Sequence, residues 1–236
     1  MAPAAYPRGV AELLPLTDRT RLTRLRSLQS RDRRVLHEVL DAALVAHVAG
    51  VVDGAPVVLP VAHARDGDRL LLHGSTGGGL LRRAAAAAPL SVAVTVLDGL
   101  VLARSLYDSS MNYRSAVVFG RATALPAADT AAALRLLSER LLPGRWDEVR
   151  PPTARELAAT LVLALPLDEV SVKVSEGPPS DSDDPPPDVA GTWAGVLPVR
   201  LVAGPAEPAP DVPAGLPVPP SVAAAAQRVT EGRPPA

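Results

Sequence analysis

The sequence predicts an α+β domain built on a closed or half-closed antiparallel barrel. Three observations lead there: β-prone runs joined by Asp-Gly turns, helical runs inserted among them, and no alternating βαβ units.

Residues 1–25 show no periodicity and are expected to be irregular. The basic positions Arg19, Arg21, Arg24, Arg26, Arg31, Arg33 and Arg34 are widely spaced, which suits a solvated or subunit-contacting segment better than a nucleic-acid arm. Ser30 can cap a helix in which Val35, Leu36, Val39, Leu40 and Ala43 recur on one face. A meander follows: Leu44 to Val52, the turn Asp53-Gly54, Pro56 to Arg65, the turn Asp66-Gly67, and Arg69 to His73. After Ser75-Thr76-Gly77-Gly78-Gly79 comes a short Ala-rich helix, Leu80 to Ala88, stopped by Pro89. Leu90 to Leu97, Leu100 to Ser105 and Ser115 to Leu125 then read as strands, which makes six. Ala127 to Leu142 and Thr153 to Leu165 have helical spacing, and Glu169 to Val174 is a last strand. Residues 177–190 are acidic and Pro-rich and read as an exposed loop. Trp193 to Pro198 returns as an apolar patch expected to dock on the barrel, and 199–236 reads as a Pro-rich extended tail.

Composition narrows function. A chain of 236 residues that is 47% hydrophobic can build a sizeable core. With 24 basic against 25 acidic residues, no whole-domain grip on nucleic acid or anionic membrane is expected, and partners should be small molecules or proteins. The lack of Cys excludes disulfides, thiolate zinc sites and a cysteine nucleophile, and suits a reducing compartment. No apolar run reaches the roughly 18 residues that span a bilayer, and MAPAAYPRGVAEL lacks a signal-peptide build, so the expectation is a cytoplasmic protein.

Two segments could carry chemistry. His73-Gly74-Ser75-Thr76-Gly77-Gly78-Gly79 joins a strand to a helix, where amides, hydroxyls and the nearby Arg82 and Arg83 could hold a phosphate; a plain flexible turn fits equally. Ser109 to Ser115, with Tyr113 and Arg114, reads as a polar loop entering a strand and could supply a second face of that phosphate, or be a surface loop with a structural Arg. A two-residue turn at Asp66-Gly67 pairs position 63 with 70 and puts His63 and His73 on opposite sheet faces, so the pair cannot share a metal. His37 and His47 read as helix-surface and strand residues with no role, and no metal site is expected. Trp146 and Trp193 could cap the core or stack on a planar ligand. No nucleophile elbow, carboxylate pair or kinase set is present.

In their order, PVVLPVAHARDGDRLLLHGSTG, SVAVTVLDGLVLARS, SSMNYRSAVVFGRA, LPGRW and WAGVLP resemble the pyridoxamine 5′-phosphate oxidase-like flavoproteins. Within them the likeness is to the flavin-nucleotide-binding branch that contains nitroimidazole-reductase-type proteins, and it runs from about Arg26 to Pro198. The resemblance implies a six-stranded split β-barrel with flanking helices over 26–198, working as a homodimer with FMN at the subunit interface. Carried over by position, Pro60, Val61, Ala62 and His63 would line the isoalloxazine ring. His73, Gly74, Ser75, Thr76 and Gly77 would approach the ribityl phosphate, and Tyr113, Arg114 and Ser115 would complete its site. Gly78-Gly79-Leu80 stand where relatives bring a Lys or Arg, so that charge would come from Arg82 or Arg83. Ser175-Glu176 stand where relatives have an Arg. The implied activity is that of an oxidoreductase on a small organic acceptor, not vitamin B6 synthesis, with the flavin doing the redox chemistry. The alternatives are a flavin-free binding protein on the same fold, or a deazaflavin or haem binder.

Overall fold

The computed structural model describes residues 12–180 and 191–231. The N-terminal segment is irregular but held: Leu14 is buried, and its amide donates to the Arg31 carbonyl at 2.7 Å. Strand β1 is Gln29–Ser30. Helix α1, Arg33–Ala42, is capped by Asp32, not Ser30; the Asp32 carboxylate accepts from the Arg34 amide. It buries Leu36, Val39 and Leu40 in the main core.

Strands β2, Val45–Val52, and β3, Ala55–Asp66, form the expected hairpin, with Asp53 and Gly54 both at positive φ in the turn. Strand β4, Arg69–Ser75, pairs with the far end of β3. The observed register is His63↔Leu72 rather than 63 with 70, because the turn residues are Gly67 and Asp68. A shift of two preserves parity, so His63 and His73 still lie on opposite faces. Helix α2 is Gly79–Ala85.

The next two expected strands are one. Strand β5 runs Pro89–Leu102 and pairs with β6, Ser110–Arg121, on both sides of a bulge at Asp98, between Leu97 and Gly99. The Asp-Gly signal marks that bulge, not a turn. Asn112 to Ser115 therefore lie within a long strand rather than in a loop ahead of one. Strand β7 is Thr123–Ala124, and helix α3 is Ala127–Leu141. Short helices α4, Arg145–Glu148, and α5, Ala154–Ala158, follow.

The expected helix over 153–165 is half strand. Thr153 and Glu156 form a capping box that starts α5, but Thr160–Pro166 is β8, seated between β4 and β7. Val162 to Leu165 are buried on both faces, and such a run does not declare its period. Strand β9, Glu169–Ser175, pairs with β1 and β6. Of the acidic loop, 181–190 lie outside the described residues. The expected docking of Trp193 to Pro198 takes the form of β10, Gly195–Pro198, paired with β5. The tail is extended as far as Pro219, then forms helix α6, Pro220–Glu231, where an Ala-rich run overrides the surrounding Pro-rich composition.

The antiparallel order is β1-β9-β6-β5-β2-β3-β4-β8-β7, with β10 off this path on β5, so the described residues hold ten strands, not six. The split falls within β3, which pairs with β2 up to Ala62 and with β4 from His63. The main core lies between α1, α2 and the inner sheet face; a second, smaller one lies between α3 and the outer face of β3, β4 and β8.

Candidate functional site

Strand alternation decides which expected site residues can meet a common ligand. Ala64, Leu71, Val162 and Ala164 are covered by Ala133 and Leu137 of α3. Pro60, Ala62 and His73 continue that outer face, whereas Val61 packs on the main core and His63 is buried on the inner side. The four residues expected to line one ring are thus divided between two faces. His63 donates from Nε2 to the Leu40 carbonyl at 3.0 Å, and burial holds its pKa below the usual imidazole value. The charge of Arg228 adds a smaller push in the same direction. His73 is also pushed down, by burial alone, and its buried Nδ1 has no partner among the described residues.

The loop beyond β4 is shaped by packing. A Cβ on Gly74 would sit 2.4 Å from Leu81 Cδ1, so the bare glycine lets the Leu81 side chain of α2 pack directly on the strand. The loop amides are already engaged: Thr76 N–H donates to the Ala159 carbonyl, Gly77 N–H to Ser75 Oγ, and Gly78 N–H to the Ser75 carbonyl. A phosphate cradle made of these amides does not fit. Arg83 pairs with Asp53, which leaves the exposed Arg82 as the cation of α2 without a partner among the described residues.

On β6 the trio separates again. Tyr113 pairs across to Leu97 and Ser115 to Thr95, both on the outer face, with Lys173 Nζ 5.1 Å from the centre of the Tyr113 ring. Arg114 lies on the side of the buried Ala116 and Val118, and its fork donates to both Asp98 oxygens at 2.9 and 2.8 Å. That hydrogen-bonded carboxylate raises the Arg114 pKa. Arg114 and Ser115 therefore cannot grip one phosphate from the same face.

Register links Ala62 to Val45, His47 to Pro60 and Ala93, and Thr95 to Ser115. One outer face thus joins Pro60, Ala62, His73, Tyr113 and Ser115, with His47 at its middle. His47 is the strand residue the sequence predicts, expected there to have no role, yet the two-residue Asp53-Gly54 turn already implies its pairing with Pro60. Val45, Val51, Val58 and Leu97 on this face are 40–60% exposed. Trp193 is exposed beside β10, and Trp146 is half-buried in a hollow with Leu142, Arg145 and Arg150. Among the described residues no group of three or more His, Asp or Glu could hold a metal, and no helix is long and apolar enough to cross a membrane.

Against this face a flavin's ring system would meet the exposed apolar side chains of Val45, Val51, Val58 and Leu97, and its phosphate would have to find Arg82 or Lys173 rather than loop amides. The chain is similar to the FAD and haem binding protein from Mycobacterium smegmatis at 46% identity, over 84% of this chain and 97% of that one, with a TM-score of 0.80. It is similar to the flavocytochrome Anf3 from Azotobacter vinelandii at 37% identity, over 88% and 96%, with a TM-score of 0.81. A putative 5-nitroimidazole antibiotic resistance protein from Bacteroides thetaiotaomicron, 20% identical over 62% and 86% with a TM-score of 0.50, shares the fold. No curated protein matches. The family model described as pyridoxamine 5′-phosphate oxidase matches residues 32–174, more than half of the chain. The chain belongs to the pyridoxamine 5′-phosphate oxidase family.

Proposed function

We propose that this chain is a homodimeric redox protein that binds a flavin nucleotide together with haem. The observation that carries the reading is the similarity, across more than four-fifths of the chain, to two proteins described as binding FAD and haem and as a flavocytochrome. The reading widens the FMN expectation, since one of these relatives is described with FAD. The bound flavin would supply electron or hydride transfer to a small acceptor. The chain's own part is to orient and to exclude water. Pro60 and Ala62 offer a flat support, and Arg82 and Lys173 offer charge for phosphate.

An iron ligand needs a neutral imidazole with a free nitrogen. His37 is engaged by Asp68, and His63, whose Nδ1 is also without a partner among the described residues, is buried on the inner side of the sheet, whereas His47 and His73 have no hydrogen-bond partner among the described residues. Both lie on the outer face. Burial keeps His73 neutral at pH 7. The exposed valines of the same face supply the apolar surface that a second copy would cover.

The test is the absorption spectrum of the purified chain after incubation with FMN, FAD and haem in turn. The expected result is stoichiometric flavin and haem bands, with His73→Ala or His47→Ala losing the haem band while flavin uptake persists. Uptake of flavin alone would leave a plain flavoprotein, and uptake of neither would overturn the reading.

A further inference from the structure

Donors from three separate elements converge on the carbonyls at the C-terminal end of α1. His63 of β3 donates from Nε2 to the Leu40 carbonyl at 3.0 Å, and Arg140 of α3 directs Nη2 at that same carbonyl at 3.4 Å, as well as at the carbonyls of Asp41 and Ala43. Arg228 of α6 donates its Nη2 to the Asp41 carbonyl at 3.1 Å. His63 and Arg140 thus share one oxygen, and Arg140 and Arg228 share the next. Carbonyl oxygens accept these donors but cancel no charge. The Asp41 carboxylate, the acidic group that acts on both His63 and Arg228, is engaged by the fork of Arg65 at 2.6–3.2 Å. Arg228 is only 7% exposed, and Nε and Nη1 of Arg140 are buried. Such a cluster suits a neutral His63, which burial and the charge of Arg228 both favour.

The elements that meet here are not equally anchored. Helix α1 packs into the main core through Leu36, Val39 and Leu40, and α3 into the second core through Ala133 and Leu137, whereas no residue of α6 belongs to either. Helix α6 follows a stretch, 204–218, in which every residue is exposed. It is pinned near its two ends: the Ser221 amide and hydroxyl donate to the Glu148 carboxylate of α4, and Arg228 holds the Asp41 carbonyl. Beneath it lies a cavity of about 510 Å³, walled by Leu44, Leu141 and Leu142 of the body and by Val222, Ala226 and Val229 of the helix, so apolar packing under α6 is incomplete. We propose that α6 is a hinged strap released by acid: a proton taken up by His63 places a third positive charge on the end of α1, Arg228 withdraws, and the C-terminal end of α6 swings out about the Ser221–Glu148 contact, uncovering Leu44, Leu141 and Leu142. The strap yields because Arg140 and His63 sit on elements fixed by the cores and Arg228 does not. The Ser221 hydroxyl and amide hold the Glu148 carboxyl below the usual carboxylate range, so the hinge survives mild acid. Withdrawal of Arg228 removes its repulsion and admits water to His63, so the open state binds the proton better than the closed one; closure is complete above about pH 6.5 and weakens as pH falls below it. The device does not depend on the flavin and haem reading, which rests on the outer face, since His63 lies on the inner one.

The chain has no Cys, so nitroxides attached at Ala132→Cys on α3 and Thr230→Cys on α6 report the separation of the two helices by pulsed electron spin resonance of the full-length protein. The expected result is a dominant separation at pH 7.5 and, at pH 5.5, a longer second one with about tenfold more weight, the limit for one proton and a pKa near 6.5 in the open state. The far-ultraviolet dichroism of the sheet should stay unchanged over that range. Arg228→Gln keeps a donor for the Asp41 carbonyl and drops the charge, and should hold the dominant separation at both pH values. His63→Gln should do the same. Where Arg228→Gln opens the strap already at pH 7.5, His63→Gln decides the matter. A separation that does not change between pH 7.5 and 5.5, a longer one that persists in His63→Gln, or one that appears only as the sheet signal is lost would overturn the proposal.

Discussion

The two faces of strand β2 are built from the same kinds of residue and meet opposite surroundings. Ala46 and Val48 are fully buried in the main core, while Val45 and Val51 on the opposite face are 45% and 60% exposed. The inner face is a core completed within one chain. The outer face is as apolar but unfinished, and its middle holds His47, with His73 two strands away. Hydrophobicity alone therefore does not separate the face that holds the fold together from the exposed face proposed for a second copy; what lies opposite does.

That contrast can be broken from the inner side with the largest effect. Leu72→Ala removes a fully buried side chain from the main core and should cost about 2–5 kcal/mol, read as a lowered denaturation midpoint. Gly74→Ala drives a methyl against Leu81 and should cost about 1–3 kcal/mol. The double variant Gly74→Ala, Leu81→Ala should recover part of that loss, since the clash has been removed.

Acidification gives the next effect. His63 is nearly fully buried and its folded pKa lies below 6.5, so the unfolded chain takes up a proton that the folded chain refuses. Its share of stability is complete above pH 6.5 and is lost as pH falls below that value, by up to about 1.4 kcal/mol per pH unit. Urea midpoints between pH 8 and 5 check this, and His63→Gln should flatten the curve. Arg114→Ala breaks a partly solvated ion pair and should cost roughly 0.2–1 kcal/mol without changing flavin affinity, because Arg114 serves Asp98 on the inner side. A fall in flavin affinity would return Arg114 to the cofactor. Smallest in stability is Val58→Glu on the outer face, within about 0.5 kcal/mol. It should nevertheless convert the dimer to monomer in light scattering, and an unchanged mass would show that this face is not the contact.

Much of the scaffold was legible because its signals are local. Asp53-Gly54 fixes a hairpin, and the apolar spacing of Leu36, Val39 and Leu40 fixes a helix against the core. Signals failed where a distant strand decided the outcome. The bulge at Asp98 exists because β6 pairs on both sides of it, and Leu161 to Leu165 is a strand because β4 lies alongside. The site was less legible for a related reason. Likeness of motif brings in runs of consecutive residues, such as Pro60 to His63 or Tyr113 to Ser115, whereas a strand shows only alternate members to any one ligand. His47 reads in the sequence as a strand residue with no role because its neighbours on the outer face come from other strands.

Strand β10 has a consequence for solubility. The flank of β5 that β2 pairs with at Ser91 to Val94 is taken over by β10 at Gly99 to Leu102, so two strands far apart in sequence line that side end to end. Without β10, the outer part of β5 would present unpaired amides and carbonyls between Leu100 and Leu102, a ready template for another chain's backbone. A chain ending before Gly195 would keep its barrel core yet gain an open edge, and its characteristic failure would be self-association through that edge rather than unfolding.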